Sequence, residues 1–233
     1  MQVRHAHPWN VSVTEAAAIQ RDLARRVSLI DAIAPLAVRL VAGVDNAYVK
    51  AGGLIAHAAA LVFTLPELAQ IETAIAERPV EFPYVPGYLT FREGPAILAA
   101  LERLTAEPDV ILFDGHGYAH PRRLGLASHL GVVLDRPTIG CAKSILVGQY
   151  AEPPDEFGAH TPIIDGDEVV GAAVRTRPGY APLFVSPGHK LSVASAVTVA
   201  LACCRAGQYL PVPTRAAHDA VTERTLPLRR RAR

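Results

Sequence analysis

The sequence predicts an α/β protein with a central sheet, and three observations indicate this class. Residues 110–113 form a short apolar run between a Pro-Asp pair and a glycine-containing loop, which is typical of a buried strand. Longer apolar runs at 40–49 and 54–63 flank a turn at 51–53 and predict a hairpin. At 14–28, apolar residues recur every three or four positions, as on an amphipathic helix. Strands and amphipathic helices in one chain favour an α/β fold.

Further helices and strands are predicted along the rest of the chain. The first helix begins at Thr14, which we expect to cap it. Residues 68–76 fit a strand or a helix, and the preceding hairpin favours a strand. The segment 79–95 is rich in proline and aromatic residues, which predicts an ordered loop, with Pro95 opening a helix to about Thr105. We then predict a helix at 123–134, a strand at 138–141, a polar loop at 150–160, strands at 162–164, 169–174 and 183–185, and helices at 192–205 and 214–223.

Length and charge indicate a single domain without a strong electrostatic preference. The chain has 233 residues, half of them hydrophobic, which is enough to build one large core. Because no repeat or linker is visible, residues 1–224 are assigned to one domain and 225–233 to a disordered basic tail. The formal net charge is only +1, so a nucleic acid would have to be held by a local basic patch.

Cysteine usage and hydropathy predict a cytoplasmic protein. The three cysteines, Cys141, Cys203 and Cys204, are too few for a disulfide framework and indicate a reducing compartment. The first sixteen residues contain no apolar segment of the kind a signal peptide needs. The longest apolar stretch, 193–204, is too short to span a bilayer, so we expect no membrane partner.

Three separated carboxylates are candidates for chemistry. Asp114 directly follows the buried strand at 110–113, and the strand ends of open α/β sheets are where ligands bind; the alternative is an Asp that starts a turn. Asp45 interrupts an apolar strand, where a charge is costly unless it is paired or faces water. Glu93 precedes Pro95 and could be catalytic or could complement a helix N-terminus.

Several cationic side chains accompany these acids. Lys143 follows the strand at 138–141, and His218 lies on the last predicted helix; each taken alone also fits a surface position. Histidines 120, 129 and 189 and Arg122 are candidates for phosphate contacts or for structural roles, and Arg123 for DNA contact or helix packing. Together, three acids with a Lys and a late His are the groups used in two-metal phosphodiester cleavage, with Mg²⁺ as the expected ion. The sequence has no zinc-type cluster, no nucleotide-binding glycine loop and no Gly-x-Ser-x-Gly motif.

Four long motifs resemble the endonuclease V family, whose members repair deaminated bases and are also called deoxyinosine 3′ endonucleases. In order, the motifs are VAGVDNAYV, FPYVPGYLTFREGPAIL, PDVILFDGHGYAHPRRLGLASHLGVVLDRPTIGCAKSIL and LPVPTRAAH. The resemblance extends from Gln20 to about His218. It implies a ribonuclease H-like fold, in which helices flank a mixed central sheet and acids gather at one sheet edge. The domain at 1–224 would then be the catalytic domain.

The resemblance also implies roles for individual residues. Catalytic positions are matched by Asp45, Glu93, Asp114, Lys143 and His218, and the metal would be held by Asp45, Asp114, Glu93 and His218. Residues Pro83, Tyr84, Val85 and Pro86 match the wedge that separates the strands beside the lesion. Pocket walls for the everted base are matched by Gly87, Leu89 and Gly115, while phosphates would be contacted by His120 and Arg122.

The expected activity is Mg²⁺-dependent hydrolysis of the second phosphodiester bond 3′ to a deoxyinosine, leaving 3′-hydroxyl and 5′-phosphate ends. Water activated by the metal would attack, Mn²⁺ would substitute for Mg²⁺, and uracil is a further candidate lesion. The partner would be single- or double-stranded damaged DNA bound by a monomer. Two alternatives stay open: an endoribonuclease specific for inosine in RNA, and a non-catalytic protein that only binds the lesion.

Overall fold

A mixed eight-stranded sheet forms the centre of the molecule, as the sequence predicts. The computed structural model describes residues 1–50 and 52–231, with side chains as far as residue 228. The strands are β1 Leu40–Lys50, β2 Leu54–Thr64, β3 Gln70–Pro79, β4 Val110–Phe113, β5 Thr138–Ala142, β6 His160–Asp165, β7 Glu168–Val174 and β8 Leu183–His189. Their order in the sheet is β3-β2-β1-β4-β5-β8-β7-β6. Only β1, β4 and β5 are mutually parallel neighbours, and the other pairs are antiparallel.

Within the described part of the chain, five α-helices cover the two faces of this sheet. They are α1 Val13–Ala24, α2 Leu89–Leu101, α3 Leu126–Leu134, α4 Val193–Ala202 and α5 Val212–Arg231. On one face, Ile111 and Phe113 pack with residues of α2 and α3. On the other, Val110 and Leu112 pack with residues of α4 and α5. Strand β4 is therefore buried on both sides, which explains its uninterrupted apolar sequence. None of the helices in the described part of the chain combines the length and apolar character needed to cross a membrane.

The predicted hairpin and the third strand are confirmed. Strands β1 and β2 pair in antiparallel register from Leu40 opposite Thr64 to Lys50 opposite Leu54. Ala51, the first residue of the predicted turn, lies outside the described residues. The ambiguous segment at 68–76 is a strand, although it begins at Gln70 and pairs with β2.

The first three helices begin at other residues than the sequence predicts. Helix α1 is capped by Ser12 and not by Thr14, because Ser12 and Glu15 form a reciprocal capping box. Helix α3 begins at Leu126 and not at 123, since Arg123 has a left-handed backbone with φ of 53°. Pro95 does not open α2, which already begins at Leu89.

The early start of α2 has a tertiary cause. Phe91, in its first turn, is buried against Phe82, Tyr88 and the ring of His129. These contacts stabilise helical backbone before the proline, whose cost is the loss of one helical hydrogen bond and crowding in the preceding turn. Glu93 therefore lies inside the helix and not in its first turn, so the helix-capping interpretation of this acid is wrong.

The C-terminal half also departs from the prediction at two positions. Strand β8 continues to His189, past the predicted end at residue 185, and His189 Nδ1 accepts a hydrogen bond from the Ser28 amide at 3.1 Å. Helix α5 continues to Arg231, well past the predicted end at residue 223. Thr225 is fully buried on this helix, so packing extends into the segment assigned to a basic tail. Residues 232 and 233 lie outside the described residues.

A single glycine sets how closely α5 approaches β1. A Cβ atom built on Gly43 would lie 2.0 Å from the backbone carbonyl carbon and oxygen of Pro213, in the first turn of α5. A side chain at this position is therefore incompatible with the observed contact. Two residues further along β1, on the same face, stands Asp45. The glycine thus allows a helix backbone to lie directly beside the carboxylate.

Candidate active site

The register between β1 and β4 brings two carboxylates together. In this parallel pair Val44 lies opposite Phe113, so Asp45 and Asp114 are the next residues in register. The Asp114 amide donates to the Val44 carbonyl at 3.2 Å, which continues the pairing to the end of the strand. Both acids thus lie at the C-terminal end of the pairing between the parallel strands β1 and β4, as the sequence predicts for Asp114.

His218 completes a group of three potential metal ligands. Asp45, Asp114 and His218 each offer a ligand atom, and these atoms lie within 4.8 Å of one another. Among the residues that the structure describes, this is the one group of three such side chains at that spacing. His218 Nδ1 lies 2.8 Å from Asp45 Oδ2, and α5 delivers it across the close contact at Gly43.

Lys143 contacts the same group from the next strand. It follows β5, which is parallel to β4, and its Nζ donates to Asp114 Oδ2 at 2.5 Å. The two charges are only partly buried, so the pair contributes little to stability. The ion pair instead fixes the position of the ammonium group, which it holds beside the three-residue group.

Glu93 lies next to this group but not in it. Its carboxylate accepts a hydrogen bond from Tyr48 Oη at 3.0 Å, and the Asn46 carboxamide, with its nitrogen facing Glu93, donates to both oxygens at 3.0 Å. Only 7% of Glu93 is exposed. Burial raises its pKa to about 8, and the charges of Asp45 and Asp114 act in the same direction. Its role as a metal ligand stays a prediction.

Electrostatics favour a cation at the three-residue group. Burial raises the pKa of Asp45, and the neighbouring Asp114 charge raises it further, whereas His218 opposes the shift. Two carboxylates held this close repel each other unless a proton or a cation separates them. Carboxylate oxygens with one imidazole suit Mg²⁺ or Mn²⁺, so the residues present fit a divalent ion.

A cavity of about 250 Å³ opens beside these acids. It is lined on one side by Tyr84, Val85, Pro86, Gly87, Leu89 and Thr90, and on the other by Gly115, His116, His120, Leu124, Gly125, Leu126 and Leu146. All three predicted pocket-wall residues, Gly87, Leu89 and Gly115, are therefore on its surface. Gly115 directly follows Asp114, so the cavity and the acids share one loop.

The predicted wedge is an exposed projection at the rim of this cavity. Tyr84 is 73% exposed, and Pro83 and Pro86 on either side are exposed as well. The guanidinium of Arg92 lies 5.7 Å from the Tyr84 ring centre and 5.3 Å from that of Tyr48. Arg92 therefore connects the projecting tyrosine with the tyrosine that donates to Glu93.

The predicted phosphate contacts lie in structural positions. His120 is 4% exposed, and burial lowers its pKa to about 4, with the Arg122 charge acting in the same direction, so its ring is neutral at pH 7. Arg123 pairs with Asp165 at 2.7 Å and Glu168 at 2.8 Å. His129 is fully buried, with its Nε2 2.7 Å from His7 Nε2. DNA contact by His120 and Arg122 stays a prediction.

Sequence reasoning missed the residues that surround Glu93. Asn46 and Tyr48 stand two positions apart on β1 and so share a face, and both hydrogen-bond to the Glu93 carboxylate. This two-residue alternation of polar side chains after Asp45 was a signal in the sequence. Arg92, next to Glu93, carried none, because its contacts with two tyrosines are made across three separate elements.

The fold and the site together define a class of protein. The mixed sheet has helices on both faces, its neighbouring parallel strands carry carboxylates to one end, and this is the ribonuclease H-like fold of the endonuclease V structures that the chain resembles. The Endonuclease V family model matches residues 21–219. The chain therefore belongs to the endonuclease V family. It is an endonuclease, a hydrolase that acts on phosphodiester bonds.

Individual relatives agree with this assignment. The endonuclease V of Roseiflexus sp. (strain RS-1) is 50% identical over 220 residues, 94% of this chain and 96% of the relative. The Bacillus subtilis endonuclease V structure has a TM-score of 0.93 at 33% identity and covers 99% of this chain and 100% of its own. Ciona intestinalis endonuclease V, in complex with a 24mer DNA containing an inosine followed by a ribo-adenosine, has a TM-score of 0.82 at 29% identity, covering 93% and 98%.

Proposed function

We propose that this endonuclease recognises deoxyinosine in DNA and hydrolyses the second phosphodiester bond on its 3′ side, leaving 3′-hydroxyl and 5′-phosphate ends. The observation that carries the proposal is the placement of Asp45, Asp114 and His218 beside a cavity that shares the loop at Gly115. The Ciona intestinalis relative, solved with inosine-containing DNA, supports the choice of lesion. Uracil is a further candidate base.

The metal would be Mg²⁺, with Mn²⁺ as a substitute, held by Asp45, Asp114 and His218. When bound, a divalent ion supplies positive charge that stabilises the developing charge on phosphate oxygens and makes water more acidic. Lys143 Nζ donates to Asp114 Oδ2, and this bond would keep the carboxylate oriented beside Asp45 and His218. The same ammonium group is placed to attract the substrate phosphate.

Glu93 would serve as a further ligand or as an anchor for water near the ion. Tyr48 and Asn46 keep its carboxylate fixed on the α2 side of β1. Because a helix and a strand hold it from two directions, it can contribute a fixed oxygen position to the site.

The cavity would receive the everted base. Its volume of about 250 Å³ suits one purine with some water, and its wall combines glycine backbone with aliphatic side chains. Hypoxanthine presents O6 as an acceptor and N1–H as a donor, and the Gly87 amide and the Gly115 carbonyl would recognise that edge. A deaminated base pairs poorly, so everting it costs less than everting a normal base. The exposed Tyr84 would stack in the space left behind.

We further propose that the protein acts as a monomer in the cytoplasm on single- or double-stranded DNA. A reducing compartment agrees with Cys141, Cys203 and Cys204, all of which are free thiols.

Nicking of an end-labelled duplex with one deoxyinosine, in the presence of Mg²⁺, tests the proposal. We expect cleavage at the second phosphodiester bond on the 3′ side of the deoxyinosine. For Asp114→Ala we expect the cleavage rate to fall by at least about 10³-fold. Full activity of that variant would contradict the role of the acids. A matched RNA with inosine, cleaved faster than the DNA, would show that the ribonuclease alternative is correct. Tight binding without product would indicate a non-catalytic protein.

A further inference from the structure

A tight turn connects the wedge to the wall of the cavity. It runs from Val85 to Tyr88 and is closed by the Tyr88 amide donating to the Val85 carbonyl at 3.1 Å. Pro86 is its second residue and Gly87 its third, with φ of 82°, which are the residues and the backbone of a type II turn. The turn therefore sets the direction of both the wedge at 83–86 and the wall at 87–89.

Two side chains, one buried and one partly buried, hold the carbonyl of Gly87. Gln20 Nε2 donates to it at 2.9 Å, and Arg122 Nη2 donates to it at 2.8 Å. Arg122 Nε also donates to Gln20 Oε1 at 2.6 Å, which closes a ring of three hydrogen bonds. Gln20 comes from α1 and is 1% exposed, whereas Arg122 comes from the loop after β4.

The remaining contacts of Arg122 also point inward. Its guanidinium carbon lies 4.4 Å from the centre of the Tyr88 ring, and its backbone amide donates to His120 Nδ1 at 3.2 Å. A Cβ atom on Gly87 would lie 2.7 Å from Arg122 Nη2, so a side chain there would displace the guanidinium from its present position. Two nitrogens and one face of the guanidinium are thus engaged within the protein.

The turn needs such support because its own backbone offers little. Pro83 and Pro86 have no amide hydrogen to donate, and both are exposed. Tyr84 projects into solvent, and the guanidinium of Arg92 lies over its ring. A wedge that separates stacked nucleobases transmits force to the turn that carries it. At this turn, Gln20 and Arg122 hold the Gly87 carbonyl.

We infer that Gln20 and Arg122 act as a pair of positioning residues that fix the Gly87 turn, and that Arg122 does this instead of contacting a DNA phosphate. The inference rests on the proposed function, since the turn carries the proposed wedge and base pocket. Loosening the turn would weaken recognition of the lesion without moving Asp45, Asp114 or His218. The loss should therefore fall on KM, with the cleavage rate at saturation preserved.

Two substitutions remove the pair from either side. Gln20→Met keeps the length of the buried side chain but removes its hydrogen-bond donor and acceptor. Arg122→Gln removes the guanidinium group. For both we expect KM for an inosine duplex to rise about tenfold or more, which corresponds to one lost charge-assisted hydrogen bond. The single-turnover rate at saturating enzyme should stay within about twofold of wild type, and the double variant should be no worse than the poorer single variant.

The salt dependence of KM separates positioning from phosphate contact. Losing one phosphate contact reduces the slope of log affinity against log salt by about 0.9. We expect an unchanged slope for Arg122→Gln and Gln20→Met. Arg21→Gln, on the exposed side of α1 next to Gln20, is the control for loss of one positive charge. The inference would be overturned if Arg122→Gln reduced the slope of log affinity against log salt by about 0.9 while Gln20→Met kept a normal KM.

Amide hydrogen exchange of residues 84–90 measures the turn without any substrate. Exchange should accelerate in Gln20→Met and Arg122→Gln and stay as in wild type in Arg21→Gln. If Gln20→Met does not fold, Gln20→Glu takes its place, because it keeps the acceptor for Arg122 and loses the donor to Gly87. It should likewise raise KM and accelerate amide exchange of residues 84–90. Wild-type protein that does not cleave inosine substrates would refute the proposed function, whereas unchanged exchange in the folded variants would refute the positioning role.

Discussion

His218 and Asp45 are separated by 173 residues in the chain, yet His218 Nδ1 lies 2.8 Å from Asp45 Oδ2. The contact depends on helix α5 lying directly on strand β1, where Gly43 leaves no side chain beneath Pro213. A small residue without any chemistry of its own therefore determines whether an imidazole joins the two carboxylates.

Substitution of Gly43 should damage stability and activity together. In Gly43→Ala the added methyl group meets the Pro213 backbone, so α5 must move away from β1. We expect a loss of about 1–3 kcal/mol in the free energy of unfolding, as for overpacked cores, and a reduced nicking rate because His218 moves with the helix. Gly53→Ala is the matched control, since a Cβ there has no atom within 4 Å. Equal stability and activity of the two variants would contradict this account.

Removal and addition of the divalent ion should change stability through Asp45 and Asp114. Adding Mg²⁺ at about 100 times its dissociation constant should stabilise the wild type by about 2.7 kcal/mol. Without metal, Asp45→Asn should be more stable than wild type, because burial and the Asp114 charge oppose its ionisation. The same variant should gain little from Mg²⁺. Thermal melting with and without chelator measures both effects, and an equal gain in both proteins would exclude this ion site.

Tyr84 should matter for lesion binding and not for folding. Because its side chain is 73% exposed, Tyr84→Ala should change the free energy of unfolding by less than about 0.5 kcal/mol. Loss of base stacking should weaken binding of an inosine duplex by about tenfold. Tyr180→Ala removes another exposed tyrosine, one that stacks on Arg177 at 3.8 Å and does not line the cavity, and it should bind normally. Titration of a fluorescent duplex distinguishes the two.

Acid should destabilise the fold through its buried histidines. Burial lowers the pKa of His120 to about 4 and that of His129 well below its usual value of 6.5, so the unfolded state binds protons more readily. The contribution of these two histidines to stability is constant above about pH 6.5 and becomes increasingly unfavourable as the pH drops from 6.5 toward 4. At pH 5 His120 alone should cost on the order of 2 kcal/mol. Urea unfolding at pH 7 and pH 5 should show a smaller difference for His120→Gln, and no such change for the exposed His160→Gln.

The parts of the fold that could be predicted are those with local causes. The apolar run before Asp114 is short and continuous because β4 is buried on both faces, and that pattern is visible in the sequence. The spatial order of the strands was not visible, because the pairing of β1 with β4 joins segments some seventy residues apart. Asp45 and Asp114 could be selected as candidates, but their adjacency follows from this register.

The errors arose where tertiary contacts override local preference. Pro95 is a good first residue of a helix, yet the packing of Phe91 starts α2 six residues earlier. Gln20 occupies a polar position in an amphipathic pattern, and such a pattern does not distinguish a solvated glutamine from one that holds a buried carbonyl. The assignment of Arg122 to a phosphate, made from its charge, stays a prediction, and the sequence did not indicate that this side chain also hydrogen-bonds to Gln20 and Gly87.

The position of His218 on α5 has a consequence for how the enzyme is made. Synthesis proceeds from the N-terminus, so Asp45 and Asp114 emerge from the ribosome long before the helix that carries the histidine. Until α5 docks on β1, the apolar face of the sheet formed by Val41, Val110 and Leu112 is uncovered and the group of three ligands is incomplete. A growing chain therefore carries two of the three ligands without a finished site, and completion of the nuclease coincides with completion of its core.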